Sequence, residues 1–185
     1  MKYRREITLK NGESLLLRSL KPQDAQESIW LLKKTAEETL YMMRYPDEWI
    51  MTGEAQREVL AQMEHAPKAL MLGAFMDGRL IGVGNFRPAH PGDRARHRAG
   101  MGISILKSCW GMGVGTAIMH ALIEAAKTTS LEQLELDVVS TNERAIRLYE
   151  RCRFVEYGRL PHMMKYRDGT YADAVLMVLD LRPWQ

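Results

Sequence analysis

The sequence predicts one domain of mixed α/β (α+β) class that spans residues 1–185 and is built on a single sheet. The chain has 185 residues, a length that one hydrophobic core commonly serves. Hydrophobic residues make up 46% and charged residues 26%, which is the ordinary mixture of a globular protein. Hairpin signals fill the first half of the chain, and a strand–helix–strand pattern follows. No repeat, low-complexity tract or linker divides the sequence, so one domain is expected.

Charge and cysteine content limit the partners and the environment that we expect. The 26 Lys and Arg residues against 23 Asp and Glu residues give a net charge of +3, too small to indicate nucleic-acid binding. Two cysteines, Cys109 and Cys152, are too few for a disulfide framework and predict a reducing, cytoplasmic location. We find neither a signal-peptide pattern nor a run near the roughly 20 apolar residues of a membrane span, so no membrane partner is expected.

Two hairpins and two helices are predicted for the first half of the chain. The dipeptides Asn11-Gly12 and Asp77-Gly78 suit two-residue turns. The strands that they join are 7–10 with 14–20, and 69–76 with 79–86. Between the hairpins, Pro22 begins one helix and Thr52 caps a second. The apolar residues of these helices recur at helical spacing, as Ala25, Ile29, Leu32, Ala36 and Leu40 in the first and Ala55, Val59 and Met63 in the second.

The second half is predicted to follow a strand–helix–strand order. A strand from about 100 to 106 leads into a helix that begins at Val114, and a further strand covers 134–139. Asn142 caps a short helix that reaches Tyr149, and two last strands cover 154–159 and 171–181. The preceding segment 87–98 contains Arg87, Arg94, Arg96 and Arg98 and is expected to be an exposed loop.

The most informative segment is 103–115, a strand that passes through a glycine-rich turn into a helix. Glycines allow consecutive backbone N–H groups to point into one concavity, and the helix adds its unpaired first-turn donors and the positive end of its dipole. Such a turn suits an anion of the size of a pyrophosphate. Glycines in strand-to-helix turns can also serve close packing alone, and the turn by itself does not decide between these two interpretations.

Two other phosphate-binding loops fit the spacing less well. The Gly-x-x-x-x-Gly-Lys-Ser/Thr pattern of nucleotide triphosphatases is absent. The dinucleotide pattern matches at Gly111 and Gly113, with Asp137 following at a suitable distance, but Thr116 occupies the position of its third glycine. A dinucleotide fold would also begin with repeated strand–helix–strand units, whereas this chain has two hairpins before the turn and little sheet after it.

The sequence resembles the GNAT superfamily of N-acetyltransferases in two blocks. Trp110-Gly111-Met112-Gly113-Val114-Gly115 is similar to the family pattern Arg/Gln-x-x-Gly-x-Gly/Ala, which joins the fourth strand to the third helix. Asn142, Ala145, Leu148, Tyr149, Arg153 and Phe154 resemble the second block, Asn-x-x-Ala-x-x-Leu-Tyr-x-x-x-Gly-Phe. The order of elements agrees over nearly the whole chain. The resemblance implies a mostly antiparallel mixed sheet of about seven strands, flanked by about four helices.

The same resemblance implies the activity, transfer of an acetyl group from acetyl-coenzyme A (acetyl-CoA) to an amine by direct attack in a ternary complex. The acceptor would be a small-molecule or peptide amine. The positions that correspond to the cofactor-binding residues of the family are Ile103, Ser104, Ile105, Trp110, Gly111, Met112, Gly113, Val114, Gly115, Thr116, Asn142, Ala145 and Tyr149. Backbone N–H groups around 103–105 would face the oxygen on which charge develops.

Tyr149 corresponds to the general acid of the family, which protonates the leaving thiolate. An aromatic residue that only packs on the inner face of its helix would give the same pattern. Asn142 has two compatible interpretations, as a helix cap and as a coenzyme contact.

Three departures from the family pattern concern Trp110, Arg153 and Gly100. Trp110 replaces the first Arg or Gln of the motif, and Arg153 replaces a glycine. Gly100 stands where related members carry a Glu. A lysine-like amine at pH 7 is neutral in only about 4 molecules per 10,000, so proton removal needs a base or a water chain. His97 and His162 are weak candidates for that base.

The acceptor site is expected in the connection between the first two helices. Tyr41, Tyr45 and Trp49, with Met42 and Met43, could form an apolar pocket, and Asp47 or Glu48 could bind a cationic acceptor. The alternative interpretation of the aromatic and methionine side chains is core packing, and that of the two acidic side chains is a solvated surface.

Three hypotheses stay open at this point. The first is an acetyltransferase, and the second is a non-catalytic acyl-CoA sensor, suggested by the missing Glu at Gly100. The third is association with nucleic acid through the four arginines of 87–98, for which only local charge argues. A homodimer through an exposed sheet edge is also possible.

Overall fold

The computed structural model describes residues 1–90 and 92–182. Strands and helices follow one another along the chain in the order β1 (Arg4–Thr8), β2 (Ser14–Ser19), α1 (Ala25–Glu38), α2 (Gly53–His65), β3 (Leu70–Met76), β4 (Arg79–Pro88), β5 (Arg98–Ile105), α3 (Val114–Lys127), β6 (Gln133–Val139), α4 (Glu143–Arg151), β7 (Val155–Lys165) and β8 (Tyr171–Asp180). The described residues thus contain eight strands in one sheet and four α-helices, and the predicted mixed α/β class is confirmed.

The strands lie in the order β1-β2-β3-β4-β5-β6-β8-β7, with β1 and β7 at the edges. Every neighbouring pair is antiparallel except β5 and β6. This parallel pair requires the crossover through α3, because parallel strands cannot be joined by a tight turn. The prediction of a mostly antiparallel mixed sheet is confirmed, with one more strand than expected.

Alternating side chains of the strands supply two apolar layers, one on each face of the sheet. Leu17, Leu72 and Ile118 belong to the larger cluster, which is covered by α3 and α4. Leu31 of α1 and Leu60 of α2 close the smaller cluster on the opposite face, against Phe75 and Leu80. The sheet therefore forms the middle of three layers, and α1 and α2 lie on the face opposite to α3.

Several boundaries differ from the sequence-based expectations. The first strand lies at Arg4–Thr8, ahead of the predicted 7–10, because its partner Ser14–Ser19 pairs back to Arg4. The last part of the arginine segment is strand, since Arg98 begins β5. The strand predicted for 154–159 continues to Lys165. The register is irregular between Leu160 and Met164. Pro161 and His162 lie there and interrupt the alternation of apolar and polar residues by which a strand is predicted.

The inner face of α2 was predicted one residue out of place. Gln56 and Leu60 are buried, whereas the predicted Ala55 is exposed and Val59 and Met63 are only half-buried. The Nε2 group of Gln56 donates to the hydroxyl of Ser28 in α1 over 3.1 Å. The spacing of apolar residues did not predict the buried face of α2, because the hydrogen-bonded pair of Gln56 and Ser28 occupies part of it.

The end of α4 is a Schellman motif. The N–H of Phe154 donates to the carbonyl of Tyr149 at 3.0 Å, and that of Arg153 to the carbonyl of Glu150 at 2.9 Å. This closure places Arg153 at φ +68°, the left-handed region that glycine adopts most readily. The family carries glycine at this position because glycine adopts that conformation without strain. In this chain Arg153 adopts it, and the fold is the same.

Candidate functional site

The site lies where the two parallel strands separate. β5 and β6 pair only over Arg98–Gly100 with Gln133–Glu135. Beyond these residues β5 continues to pair with β4 as far as Ile105, and β6 continues with β8 as far as Val139. The two strands therefore part from Met101 onward and leave a wedge-shaped gap inside the sheet.

Alternation of the hydrogen bonds shows which backbone groups of β5 face this gap. The N–H of Ala89 donates to the carbonyl of Arg98 at 3.1 Å, and the N–H of Leu106 donates to the carbonyl of Ile81 at 3.0 Å. Even-numbered residues of β5 therefore bond to β4, and the backbone groups of Met101, Ile103 and Ile105 point toward β6. These groups are available to a ligand that lies in the gap.

The glycine turn lies at the wide end of the gap. Gly111 and Gly113 have φ of +86° and +95°. A residue with a side chain would be strained in this backbone conformation. The first helical bond of α3 runs from the N–H of Ala117 to the carbonyl of Gly113 at 3.0 Å. The N–H groups of the three preceding residues, 114–116, accordingly have no partner within the helix. They form a cluster of donors at the positive end of the helix dipole.

Gly115 has a packing role instead. A Cβ atom built on it would lie 2.9 Å from the Cδ2 atom of Leu148 in α4. The packing interpretation therefore holds at Gly115, whereas anion binding at the rest of the turn stays a prediction.

Trp110 ties the turn to the end of β5. Its indole N–H donates to the carbonyl of Ile105 at 3.0 Å. The guanidinium of Arg144 lies over the indole ring, 5.3 Å from its centroid. One terminal nitrogen of Arg144 would be 3.3 Å from a Cβ atom built on Gly111. A guanidinium from α4 thus stands beside the turn whose own motif lacks its Arg or Gln.

A cavity of about 340 Å³ extends from the turn along the gap. Most of the predicted site residues line it, namely Ile103, Ser104, Ile105, Trp110, Gly111, Gly113, Gly115, Thr116, Asn142, Ala145 and Tyr149. The side chains of Met112 and Val114 do not, because both pack against the core. What these two residues can offer to a ligand is their backbone.

Tyr149 is 6% exposed and lines the cavity from α4. Its burial raises the pKa of the phenol above its ordinary value of 10, and the nearby Cys152 adds to this. The hydroxyl therefore stays protonated throughout the physiological range. Asn142 caps α4, since its Oδ1 accepts from the N–H of Ala145 at 3.3 Å, and it also lines the cavity.

Sequence reasoning missed Asp137 and Arg144 as site residues. Asp137 of β6 is the one carboxylate among the described residues that line the cavity, and no ion pair or hydrogen bond within the described part engages it. It appeared in the sequence only as part of the rejected dinucleotide pattern. The signal that the sequence offered was an acidic residue between two apolar residues of a predicted strand, Leu136 and Val138.

Neither histidine considered as a base reaches the cavity. The carbonyl of His97 accepts from Glu132 at 2.8 Å, at the end of β5 far from the turn along the strand. His162 lies on β7, where its N–H donates to Asp173 at 2.8 Å and its ring contacts Tyr171 with 4.8 Å between centroids. Either could serve only if the fold brought it near the acceptor, and neither lines the cavity.

The acidic residues of the α1–α2 connection have structural partners. Asp47 forms an ion pair with Arg167, with one contact of 2.7 Å, and Glu48 accepts from the N–H of Tyr45 at 2.7 Å. Neither lines the cavity. Tyr41, Met42 and Met43 do line it, whereas Trp49 does not. The expected apolar pocket is thus present in part, without the expected acidic contact.

The arginines of 87–98 do not form a free basic patch. Arg96 pairs with Asp93 at 2.8 Å, and Arg98 pairs with Glu135. Half of the charge on which the nucleic-acid hypothesis depended is therefore neutralised locally. No group of residues able to hold a metal ion occurs within 1–90 and 92–182, and no helix of that part is long and apolar enough to cross a membrane.

The donor set fits coenzyme A. A pyrophosphate needs several N–H donors and a cation, which the first turn of α3 and Arg144 supply at one place. An amide-containing arm needs strand-like partners, which the open backbone groups of Ile103 and Ile105 supply.

Comparisons with known proteins agree with this geometry. A family model described as "Acetyltransferase (GNAT) family" matches residues 29–154. Mycothiol acetyltransferase of Propionibacterium freudenreichii is 29% identical over 60% of this chain and 36% of its own length. The N-alpha-acetyltransferase of Sulfurisphaera tokodaii is 36% identical over 43% of this chain and 46% of its own. The chain thus matches less than half the length of these curated relatives.

Solved structures are similar over nearly the whole chain. The crystal structure of an acetyltransferase of the GNAT family from Streptococcus pneumoniae superimposes with a TM-score of 0.84 at 29% identity, covering 90% of this chain and 98% of that one. The yncA protein of Salmonella typhimurium, solved with its cofactor acetyl-CoA, has a TM-score of 0.82 at 16% identity and coverages of 92% and 96%. These likenesses show the shared fold, and the family model, which matches more than half of the chain, shows that the chain belongs to the GNAT family of acetyltransferases.

Proposed function

We propose that this chain transfers an acetyl group from acetyl-CoA to the amine of a small molecule or a peptide, in a ternary complex. The observation that carries the proposal is the separation of β5 from β6 beside the glycine turn. The gap offers backbone groups of one strand, and the turn offers N–H donors and a guanidinium. The acetyl-CoA in the yncA structure and the name N-alpha-acetyltransferase of one relative support the choice of cofactor and acceptor.

Each part of the site has a role in this proposal. The N–H groups of 114–116 and Arg144 hold the diphosphate, and Trp110 keeps the turn in place through the carbonyl of Ile105. The backbone of Ile103 and Ile105 orients the extended arm and offers N–H groups to the acetyl carbonyl. Acetyl-CoA would supply the acetyl group as a reactive thioester.

Tyr149 holds a proton at the edge of the cavity for the departing sulfur. A free thiol has a pKa of about 8.5 and a phenol one of about 10 before burial, so complete transfer from tyrosine to sulfur is uphill by roughly 2 kcal/mol or more. Burial of Tyr149 increases this difference. We therefore infer that Tyr149 stabilises the departing sulfur chiefly by donating a hydrogen bond to it. Complete transfer of the proton, which would leave a phenolate, is not required.

Asp137 is the proposed acceptor of the proton that the amine must lose. Gly100 provides no carboxylate, and a Cβ atom built on Gly100 or Gly102 meets nothing within 4 Å. Open space on this part of β5 leaves room for an amine next to the parallel strand that carries Asp137. Directly or through water, Asp137 can take the proton that would otherwise keep the amine unreactive.

Two further expectations accompany the proposal. A cytoplasmic location follows from the cysteine content, and a homodimer is supported by the exposed edge strand β7. Val155, Tyr157 and Leu160 of this strand are all exposed. The oligomeric state in solution, measured by light scattering, tests the second expectation.

Thermal unfolding with acetyl-CoA, coenzyme A, NADH and ATP, each added separately, tests the proposal together with thiol release over a panel of amines. Binding at 100 times the dissociation constant contributes about 2.7 kcal/mol, or roughly 5 to 11 °C for a domain of this size. A shift confined to the coenzyme A compounds together with turnover is expected. A shift without turnover on any amine would favour the acyl-CoA sensor, and the absence of any shift would refute both.

A further inference from the structure

A second recess, of about 180 Å³, lies between the α1–α2 connection and the β7–β8 hairpin. It adjoins the main cavity, because Thr39 and four methionines border both spaces. These methionines are Met42, Met43, Met163 and Met164. The recess is smaller than the roughly 300 Å³ at which pockets for whole drug-sized ligands begin. It is therefore suited to one side chain of a ligand that also occupies the cavity.

The walls of the recess are fastened to each other by polar contacts. The hydroxyl of Tyr166 donates to the carbonyl of Leu40 at 3.2 Å, and the N–H of Arg167 donates to the hydroxyl of Tyr45 at 2.8 Å. The ion pair between Arg167 and Asp47, at 2.7 Å, joins the same two segments. These contacts fix the spacing between the two walls, so the chemistry of the lining can select the ligand.

The lining of the recess is apolar and soft. The four methionines present thioether chains that adapt to irregular apolar groups. No carboxylate lines it, since Asp47 and Glu48 are held by Arg167 and the backbone of Tyr45. A cationic side chain placed here would be buried without a partner, which is strongly unfavourable.

The charged groups that border the recess are both cations. Arg44 lies over the ring of Trp49, 5.1 Å from its centroid, and the Nζ atom of Lys165 lies 5.4 Å from the centroid of Tyr171. Neither forms an ion pair with a carboxylate within the described residues. An anionic group beside the recess would therefore find positive charge that the protein does not itself neutralise.

We propose that this recess receives the apolar side chain of an acceptor of the α-amino acid type. The inference rests on the proposed acetyl transfer. The recess begins at the wall of the cavity, so the side chain must branch close to the reacting nitrogen, as it does in an α-amine and not at the end of a lysine chain. Arg44 and Lys165 receive a neighbouring carboxylate. That carboxylate belongs either to a free amino acid or to an acidic second residue of a peptide.

The first test measures kcat/KM for a panel of acceptors with acetyl-CoA and wild-type protein. L-methionine and L-leucine should exceed L-alanine and L-arginine by about 10- to 200-fold, the range that one apolar pocket supplies. Methionine amide, Met-Asp amide and Met-Ala amide separate the two sources of the carboxylate. Preference for free methionine over all three assigns a free amino acid, and preference for Met-Asp amide assigns a peptide.

The second test changes the recess while leaving the rest of the connection unchanged. Met43 is 68% exposed, so Met43→Glu is compatible with folding. We expect it to lower kcat/KM for methionine at least about tenfold and to raise that for arginine. Ile50→Glu, at an 87% exposed position of the same connection outside the recess, is the matched control and should change neither value. Arg44→Gln should raise KM only for acceptors that carry the carboxylate, with Arg57→Gln in α2 as its control.

The results separate failure of this inference from failure of the proposed function. Turnover with equal rates across the panel, or with L-arginine preferred, would overturn the recess assignment while the acetyltransferase stands. An unchanged preference in Met43→Glu, with its fold verified by thermal unfolding, would do the same. Absence of acetyl-CoA binding would refute the proposed function itself, and the recess assignment with it.

Discussion

The indole N–H of Trp110 donates a hydrogen bond to the backbone carbonyl of Ile105 over 3.0 Å. This contact joins the glycine turn to the last residue of β5, at the point where β5 no longer has β6 as a neighbour. Trp110 occupies the position at which the family carries Arg or Gln. In this chain an aromatic side chain that bonds to the end of β5 therefore stands in place of the polar one. The guanidinium of Arg144, from α4, lies beside the same turn.

Replacing Trp110 by Phe should weaken both the fold and the coenzyme site. The carbonyl of Ile105 would lose its donor at a half-buried position, which costs about 1 kcal/mol of unfolding free energy. If the binding free energy of acetyl-CoA weakens by the same amount, about 1 kcal/mol, its dissociation constant rises about fivefold. Urea unfolding and isothermal titration measure the two effects. Trp30→Phe, at an exposed position of α1, is the control and should leave both values within error.

Replacing Tyr149 by Phe should lower kcat by about 100-fold with little change in the affinity for acetyl-CoA. The hydroxyl is the only group removed, and the ring keeps its place against Phe154, 6.1 Å between centroids. Tyr157→Phe on the exposed strand β7 is the matched control. A kcat within twofold of the wild type in Tyr149→Phe would contradict the assigned role.

The buried phenol of Tyr149 also predicts how stability depends on alkaline pH. Burial raises its pKa above the ordinary value of 10, so between these two values the unfolded chain loses a proton that the folded chain keeps. Stability is unaffected by this group below pH 10 and falls above it, by at most about 1.4 kcal/mol per pH unit. In Tyr149→Phe this part of the alkaline loss should disappear, which urea unfolding at pH 9 and pH 11 would reveal.

Asp137→Asn should lower kcat/KM by about 100-fold, because the amide cannot accept the proton of the amine. Glu135→Gln, two residues earlier on β6 and outside the cavity, is the control and should keep kcat/KM close to the wild-type value. A kcat/KM within twofold of the wild type in Asp137→Asn would exclude Asp137 as the base.

The ion pair of Arg18 and Asp24 should stabilise the fold measurably. The guanidinium contacts both carboxylate oxygens, at 2.7 and 2.8 Å, and Asp24 is buried. Burial alone would raise the pKa of Asp24, but the hydrogen bonds from Arg18 and from the N–H of Lys21 hold it below its usual range. The stabilisation is therefore complete above the ordinary carboxyl pKa near 3.8 and is lost as the pH falls through the lower folded value.

Asp24→Asn should accordingly lower the unfolding free energy at pH 7 by about 2 to 4 kcal/mol, since it leaves Arg18 half-buried and unpaired. The difference from the wild type should narrow when denaturation is repeated near pH 3. The exposed pair of Asp93 and Arg96 is the contrast, and Asp93→Asn should cost less than about 0.5 kcal/mol. Equal effects of the two substitutions would contradict the argument from burial.

The sequence by itself determined the order of elements, the single sheet and the family. Asn11-Gly12 and Asp77-Gly78 carry their turn geometry in their own residue types, and the caps of Thr52 and Asn142 occur where they were predicted. The two family blocks located the glycine turn and Tyr149. These signals are local, because a turn, a cap or an apolar period depends on residues within a few positions of one another.

The tertiary structure alone decided which charged groups meet the cavity. Asp137 and Arg144 face it because two strands separate and a helix turns its first residues toward the turn, and no periodicity in the sequence carries that information. The same packing gives Asp47 and Glu48 partners outside the cavity. It also places His97 and His162 away from the cavity. Contacts between residues far apart in the chain depend on how the layers fit together, whereas each residue's own neighbours fix only its local conformation.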